Sequence, residues 1–363
     1  MDLVRLTLVI FFGRDNLERI IRLPVRKPIV AHLPQSSAIL AILGNKKHEY
    51  DWIMANFINI RVGPSWKFDD FYRRDMWYNC YYIQDNSISR DFMQLLYDDV
   101  IYFLINLISN GYYAFLTLNR KNIKAYNVDW DTRHPVLIYG YNLETSEFYI
   151  ADFFSRRHYE FQTASFEEIR QANQYDEREF DWYPFKLQRF FKIKPGYQYR
   201  FELNEITTKL IDYYNSEDMD AGSYYQFQTS DMEEKLYFDD FAAYNMQYGL
   251  NCYDTAIKLA GEGKLWTRLC YLFFAHKVLM EQRLNYLGEQ YGLKEDEALK
   301  SMCSELTSEC KILYLSVIRN SMYQEHNKKK SDSRARIQEQ LIHIKENDKK
   351  FTEALVSSLL SST

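Results

Sequence analysis

Residues 134–152 read HPVLIYGYNLETSEFYIAD, and the reading of this stretch decides the fold of the first half of the chain. Val136 to Tyr141 is an apolar, β-branched and aromatic run, Asn142 to Ser146 is turn material, and Glu147 to Ala151 returns through Phe148, Tyr149 and Ile150. Two extended runs about a short polar turn predict a β-hairpin. With Tyr141 paired to Glu147, Val136 stands opposite Asp152. His134 and Asp152 are then diagonal neighbours on one face, roughly 7 Å apart at the backbone. A carboxylate so placed accepts from one imidazole nitrogen, fixes the tautomer and leaves the other nitrogen as a base. This is the orienting half of a nucleophile–His–Asp arrangement. The commoner meaning of such a pair is a surface or structural contact, and a slip of one residue would part the two side chains.

Working outward, Leu3 to Phe12 reads as a strand, Gly13 to Asn16 as a turn, and Leu17 to Val25 as a second extended run closing at Pro28. Pro34, two serines and Ala38 to Leu43 predict a helix, with proline in its first turn and Gly44-Asn45 at its close. A helix apolar on all sides belongs in a domain interior. Tyr50 to Ile60 is mixed apolar and ends strand-like, and Trp66 to Tyr82 has no clear pattern. Asp91 to Asn110 carries helical spacing and is closed by Gly111, and Tyr112 to Leu118 is a strand. After the hairpin, Ser165 and Glu168 form a capping box that opens a helix toward Ala172. Phe190 to Ile193 and Tyr197 to Leu203 flank Pro195-Gly196 as another hairpin.

From Glu205 the strand signals vanish and helices follow at roughly 205–215, 237–262, 264–290, 294–325 and 334–360. The charge run Asn327 to Arg336 reads as a solvated break between two of them. The expectation is an α+β domain over residues 1–204 and a helical domain over 205–363.

Composition narrows the function classes. The 363 residues are 47% hydrophobic and 26% charged, the balance of a water-soluble globular chain. A net charge of −5 argues against nucleic acid as a partner. The N-terminal LVRLTLVIFF is too short to span a membrane, and no small-residue cleavage site follows it. Five cysteines, an odd number at no metal-ligand spacing, fit a reducing cytoplasm better than a disulfide framework. No metal or other cofactor is expected: the remaining histidines have no companion at ligand spacing, and 12 glycines form no phosphate-binding loop. The 31 tyrosines and 24 phenylalanines reflect compositional drift more than a binding face.

A triad needs a nucleophile, and a helix N-terminus is the favourable place for one. HLPQSSAILAIL (32–43) resembles the opening motif of the butirosin biosynthesis protein H-like acyltransferases, papain-like proteins of bacterial nonribosomal-peptide and polyketide clusters. The 134–152 hairpin is similar to that family's His-strand-Gly-Tyr-turn-strand-Asp segment. YGLNCYDTAI (248–257) and LWTRLCYLFFAHKVLMEQRLNYL (265–287) are similar to its helical half. The resemblance spans roughly residues 30–290 and implies a papain-like antiparallel-sheet domain followed by an all-helical one. It places His134 as the base and Asp152 as its orienting acid.

The family's nucleophilic Cys falls on Pro34, which has no nucleophile, and no cysteine precedes Cys80. Ser36 or Ser37 is the candidate replacement, weighed against the usual role of such serines in capping backbone N–H groups. Gln35 and Tyr141 are candidate substrate contacts, and His32 is either a relic of the family's His or an ordinary loop residue. The implied activity is acyl or peptidyl transfer from a carrier-protein phosphopantetheine thioester to an amine. The alternative is a catalytically silent homologue that binds a carrier protein or pairs with an active relative, with a homodimer left open.

Overall fold

The computed structural model describes residues 18–63, 68–71, 80–154, 158–174, 187–217, 246–291, 296–324 and 331–361, and the chain is α+β. In chain order come β1 (Ile20–Arg22), α1 (Pro34–Ile42), α2 (Lys47–Ala55), β2 (Ile60–Gly63), β3 (Phe68–Phe71), β4 (Ile83–Ser89), α3 (Arg90–Leu96), α4 (Val100–Ser109) and β5 (Tyr112–Asn119). Two 3₁₀ turns (Arg120–Asn122 and Lys124–Tyr126) lead to β6 (Arg133–Asn142), β7 (Glu147–Asp152), β8 (Glu160–Ser165), α5 (Phe166–Asn173) and β9 (Leu187–Ile193). The rest is α6 (Leu203–Asn215), β10 (Gln247–Tyr248), α7 (Asn251–Gly261), α8 (Thr267–Tyr291), α9 (Glu297–Gln324) and α10 (Ser331–Leu360). The expected strand at Leu3 to Phe12 and its turn lie outside the described residues, as do 237–245 and Asn327 to Lys330. No single helix among the described residues is long and apolar enough to cross a membrane.

Two compact units divide the chain: Met1–Glu49 with Asp75–Gln198, and Tyr50–Arg74 with Tyr199–Thr363. The division is not a single cut at residue 204, because residues 50–74 cluster with the C-terminal part.

The first unit is organised on a seven-stranded antiparallel sheet in the order β4-β9-β5-β6-β7-β8, with β1 also paired to β6. The hairpin of β6 and β7 is present, and its register has a compensation built in. At the turn Asn142 faces Glu147 and Tyr141 faces Phe148, one residue off the expected pairing. A bulge between Ile138 and Gly140 then restores the expected pairing, Ile138 with Ile150 and Leu137 with Ala151. Continued one step, that register sets Val136 opposite Asp152. Gly140 sits where β1 crosses closest: a Cβ there would lie 2.4 Å from the Ile21 carbonyl oxygen and 2.8 Å from the Tyr149 ring.

One face of this sheet is filled by Ala114, Leu116, Leu118, Val136, Ile138 and Ile150, packed with Ile101 and Leu104 of α4 and Ile169 of α5. Helix α1 packs against β6 and β7, yet its buried residues Ala38 to Ile42 take no part in that core. It therefore covers the opposite face, with the outward parity of Leu137 and Ala151.

Two local expectations fail here. Asp91 to Asn110 is not one helix but α3 and α4, bent by 88°. Asp99 breaks it by capping α4, its Oδ1 accepting from the Ile101 N–H at 2.9 Å, while Arg170 donates to its Oδ2 at 2.9 Å. Pro195-Gly196 turns the chain, but no second strand follows it. Both edges of β9 are already occupied, by β4 and β5, and Leu203 begins α6.

The second unit carries the small antiparallel sheet β10-β2-β3, most of α2, and, among the described residues, helices α6 to α10. β10 and the helix start at Asn251 replace the expected continuous helix over 237–262. Basic side chains of the C-terminal helices explain why 50–74 belongs here. Arg283 donates to the Met54 and Asn56 carbonyls at 2.6 Å each, Lys209 to the Ala55 carbonyl at 2.7 Å, and His276 Nε2 to the Ile58 carbonyl at 2.6 Å. These are the carbonyls left open where α2 ends. Deeper in, fully buried Asp348 accepts from Lys277 at 2.5 Å, Tyr213 at 2.6 Å and Tyr253 at 2.9 Å, linking α6, α7, α8 and α10.

Burial, then the nearby Lys277 charge, hold His276 well below its ordinary value, so it stays neutral in the fold. Below about pH 6.5 the unfolded chain takes up a proton that the folded unit refuses, and stability falls as pH drops. Urea titrations across pH 5 to 7.5 should show a slope up to about 1.4 kcal/mol per pH unit steeper for wild type than for His276→Gln.

Candidate active site

The end of the β6–β7 hairpin brings His134 and Asp152 together. His134 Nδ1–H donates to Asp152 Oδ2 at 2.5 Å, in the geometry of an orienting carboxylate. Asp152 has no exposed side-chain surface, whereas the His134 side chain is 24% exposed. Nε2 of His134 makes no hydrogen bond with the described residues, so the nitrogen away from the carboxylate is open. The tautomer follows from this arrangement, since an ionised carboxylate can only accept.

Tyr126 completes the group. It stands at the end of the second 3₁₀ turn, and its hydroxyl donates to the same Oδ2 that accepts from His134. Burial first, then the Asp152 charge and the bond to it, push the Tyr126 phenol well above its ordinary value, so it remains a donor. Tyr159, buried just before β8, is pushed up by burial and by the same charge. Among the described residues, its hydroxyl and Asp152 Oδ1 are buried without hydrogen-bond partners. Asn119 caps the preceding 3₁₀ turn, its Oδ1 accepting from the Lys121 N–H, and the turn that carries Tyr126 is held by Glu168, which accepts from the Lys124 N–H at 3.0 Å. Phe154 packs on the Tyr126 ring with centroids 4.7 Å apart.

Ser36 and Ser37 are not part of this group. Ser36 Oγ bonds back to Leu33, donating to its carbonyl at 3.2 Å and accepting from its N–H at 3.3 Å. Among the described residues, Ser37 Oγ is buried without a partner. Neither serine bonds His134. Strand parity gives the reason: Leu118 faces His134 across β5 and β6, which sets His134 on the α4–α5 face, while both serines ride on α1 over the other face. Gln35 is half-buried and makes no hydrogen bond with the described residues. Tyr141, expected to touch substrate, is fully buried. Its hydroxyl lies 2.8 Å from that of Ser109 and donates to the Glu18 carbonyl at 3.1 Å, which leaves no surface for a substrate. His32 is also buried.

The cysteines offer no substitute. All five are free and buried. Burial pushes Cys80, Cys303 and Cys310 up to about 12 and raises Cys252 and Cys270 as well, so none is a thiolate near neutral pH. Among the described residues no group of three His, Cys, Asp or Glu side chains could hold a metal ion. A cavity of about 240 Å³ is lined by Met93, Tyr97, Asp99, Arg170 and Asn173, and neither His134 nor Asp152 borders it.

Tyr126 and Tyr159 escape a reading of the sequence, because each meets Asp152 through tertiary packing and neither follows a periodic or capping pattern. No protein-family model matches the chain, and no curated protein matches it in sequence.

With Ser36 as a backbone cap, Ser36→Ala should lower the unfolding free energy by about 1 kcal/mol in urea titration. The same substitution should leave the imidazole resonances of His134 unmoved.

Proposed function

We propose that the first unit is an acyl- or peptidyl-transfer domain in which His134 acts as a general base oriented by Asp152. The observation that carries this reading is the pairing of a fully buried carboxylate with one nitrogen of a partly exposed imidazole whose other nitrogen is open. The donor is the phosphopantetheine thioester of a carrier protein, and the acceptor is an amine, in bacterial natural-product assembly. This chemistry comes from the resemblance of the 134–152 hairpin to the acyltransferases named above. The chain order, helix then His strand then Asp strand, supports a papain-like domain, and five unpaired cysteines support a cytoplasmic setting.

The step needs no covalent relay. The amine nitrogen adds to the thioester carbonyl, His134 Nε2 takes its proton, the C–S bond breaks as the C–N bond is completed, and the proton passes to the departing thiolate. His134 and α1 sit on opposite faces of the sheet, which favours this direct route over one through Ser36 or Ser37.

A second reading has its own support. Ser36 is tied to Leu33, Pro34 has no nucleophile, and no cysteine is activated; these favour a silent homologue that binds a carrier protein or an active relative, without turnover.

Thiol release from acyl-pantetheine thioesters in the presence of an amine separates the two. Turnover by wild type and a loss of about 10² or more in His134→Ala is the result expected of the base. Silence of wild type across several acyl groups, together with carrier-protein binding that His134→Ala leaves intact, would select the second reading.

A further inference from the structure

We infer that Tyr126 is a positioning residue that sets the proton affinity of His134 through the carboxylate oxygen they share. The inference deepens the base role of His134 and rests on it for its catalytic consequence alone.

Asp152 Oδ2 accepts two donors, the Tyr126 hydroxyl and His134 Nδ1–H, while Oδ1 accepts none. Donors on one oxygen compete for its electron density. With the phenol bonded, the carboxylate holds the imidazolium less tightly, and His134 gives up its proton at lower pH than in a bare His–Asp pair. A fixed donor is required for this, and Tyr126 is fixed. Its turn is pinned at Lys124 by Glu168, its ring is packed on Phe154, and the Arg120 guanidinium carbon lies 5.5 Å from the ring centroid. Arg120 is itself held, donating to Thr132 Oγ1 at 3.1 Å.

Among the described residues, the neighbouring strands bring other groups to the pair. β5 presents apolar Leu118 opposite His134, and β8 presents Glu160 opposite Asp152. Tyr159 precedes β8 and keeps its proton. Among the described residues, Tyr126 and His134 are the side chains that bond the Asp152 carboxylate.

The test is the NMR titration of the His134 imidazole, which needs no substrate. Tyr126→Phe keeps the ring packing and removes the donor, and the midpoint of His134 should rise by about half a pH unit. Tyr126→3-fluorotyrosine supplies a more acidic phenol and should lower it. In an Asp152→Asn background the Tyr126→Phe effect should vanish. A midpoint that stays or falls in Tyr126→Phe, or one unmoved by fluorination, overturns the inference and leaves Tyr126 a packing role. Should Tyr126→Phe not fold, the fluorinated protein decides alone. Thiol release is read separately: a protein that never turns over but shows the titration shifts refutes the transfer reading and keeps this one.

Discussion

A carboxylate with no exposed surface is the constraint around which the first unit is arranged. Leaving such a charge without donors costs several kcal/mol, so Asp152 must draw hydrogen-bond donors to the end of β7. Both come from outside that strand, His134 from β6 and Tyr126 from the 3₁₀ turn. The turn in turn needs an anchor, and Glu168 supplies it. Its carboxylate closes the Ser165 capping box at the start of α5 and also accepts from the Lys124 N–H. One helix cap, one turn and one strand end thus form a single chain of hydrogen bonds terminating on Asp152. Among the described residues, Oδ1 is the part of it left unsatisfied.

The second unit meets a comparable demand with the charges reversed. Where α2 ends, the chain runs on through Phe57 at φ 55°, and its carbonyls are buried. Arg283, Lys209 and His276 donate to them. Burial lowers Arg283 to about 9; the dry interior disfavours the guanidinium charge, and the carbonyls that accept from it offset part of that cost. Buried carbonyls left unpaired would each carry a desolvation penalty, which these donors remove. This segment is therefore bound to helices some 200 residues further along the chain, with |i−j| of 229 between Arg283 and Met54.

Much of this was legible where the physics is local. The hairpin announces itself by alternation and turn residues, the α5 start by Ser165 and Glu168, and α1 by Pro34. The bulge at Ile138–Gly140 was not legible, because it is needed only where β1 lies against Gly140. Two errors of one residue cancel there, and the His134–Asp152 pairing expected from a plain register survives. The break at Asp99 had a signal in the Tyr97-Asp98-Asp99 sequence, masked by helical spacing on both sides of it. Tyr126 had none, since its partner is 26 residues away. Tyr141 misled for the opposite reason: it matched a motif, and its place in the core beside Ser109 depends on parity beyond the bulge.

That same parity bears on what a base at His134 can act upon. A serine on α1 would have to be reached through the sheet, so neither Ser36 nor Ser37 is a hydroxyl that His134 can activate. The His134 side chain is partly exposed and its Nε2 bonds no described residue, so a proton it takes would come from something that arrives. A thioester fits that limit better than an amide or ester would, because its carbonyl is already activated toward amines. Removing a proton from the attacking nitrogen is then the part of the reaction a protein can best assist. An imidazole oriented by a buried carboxylate that a tyrosine also bonds is suited to that single task, and in the proposed reading it acts without a nucleophile on α1.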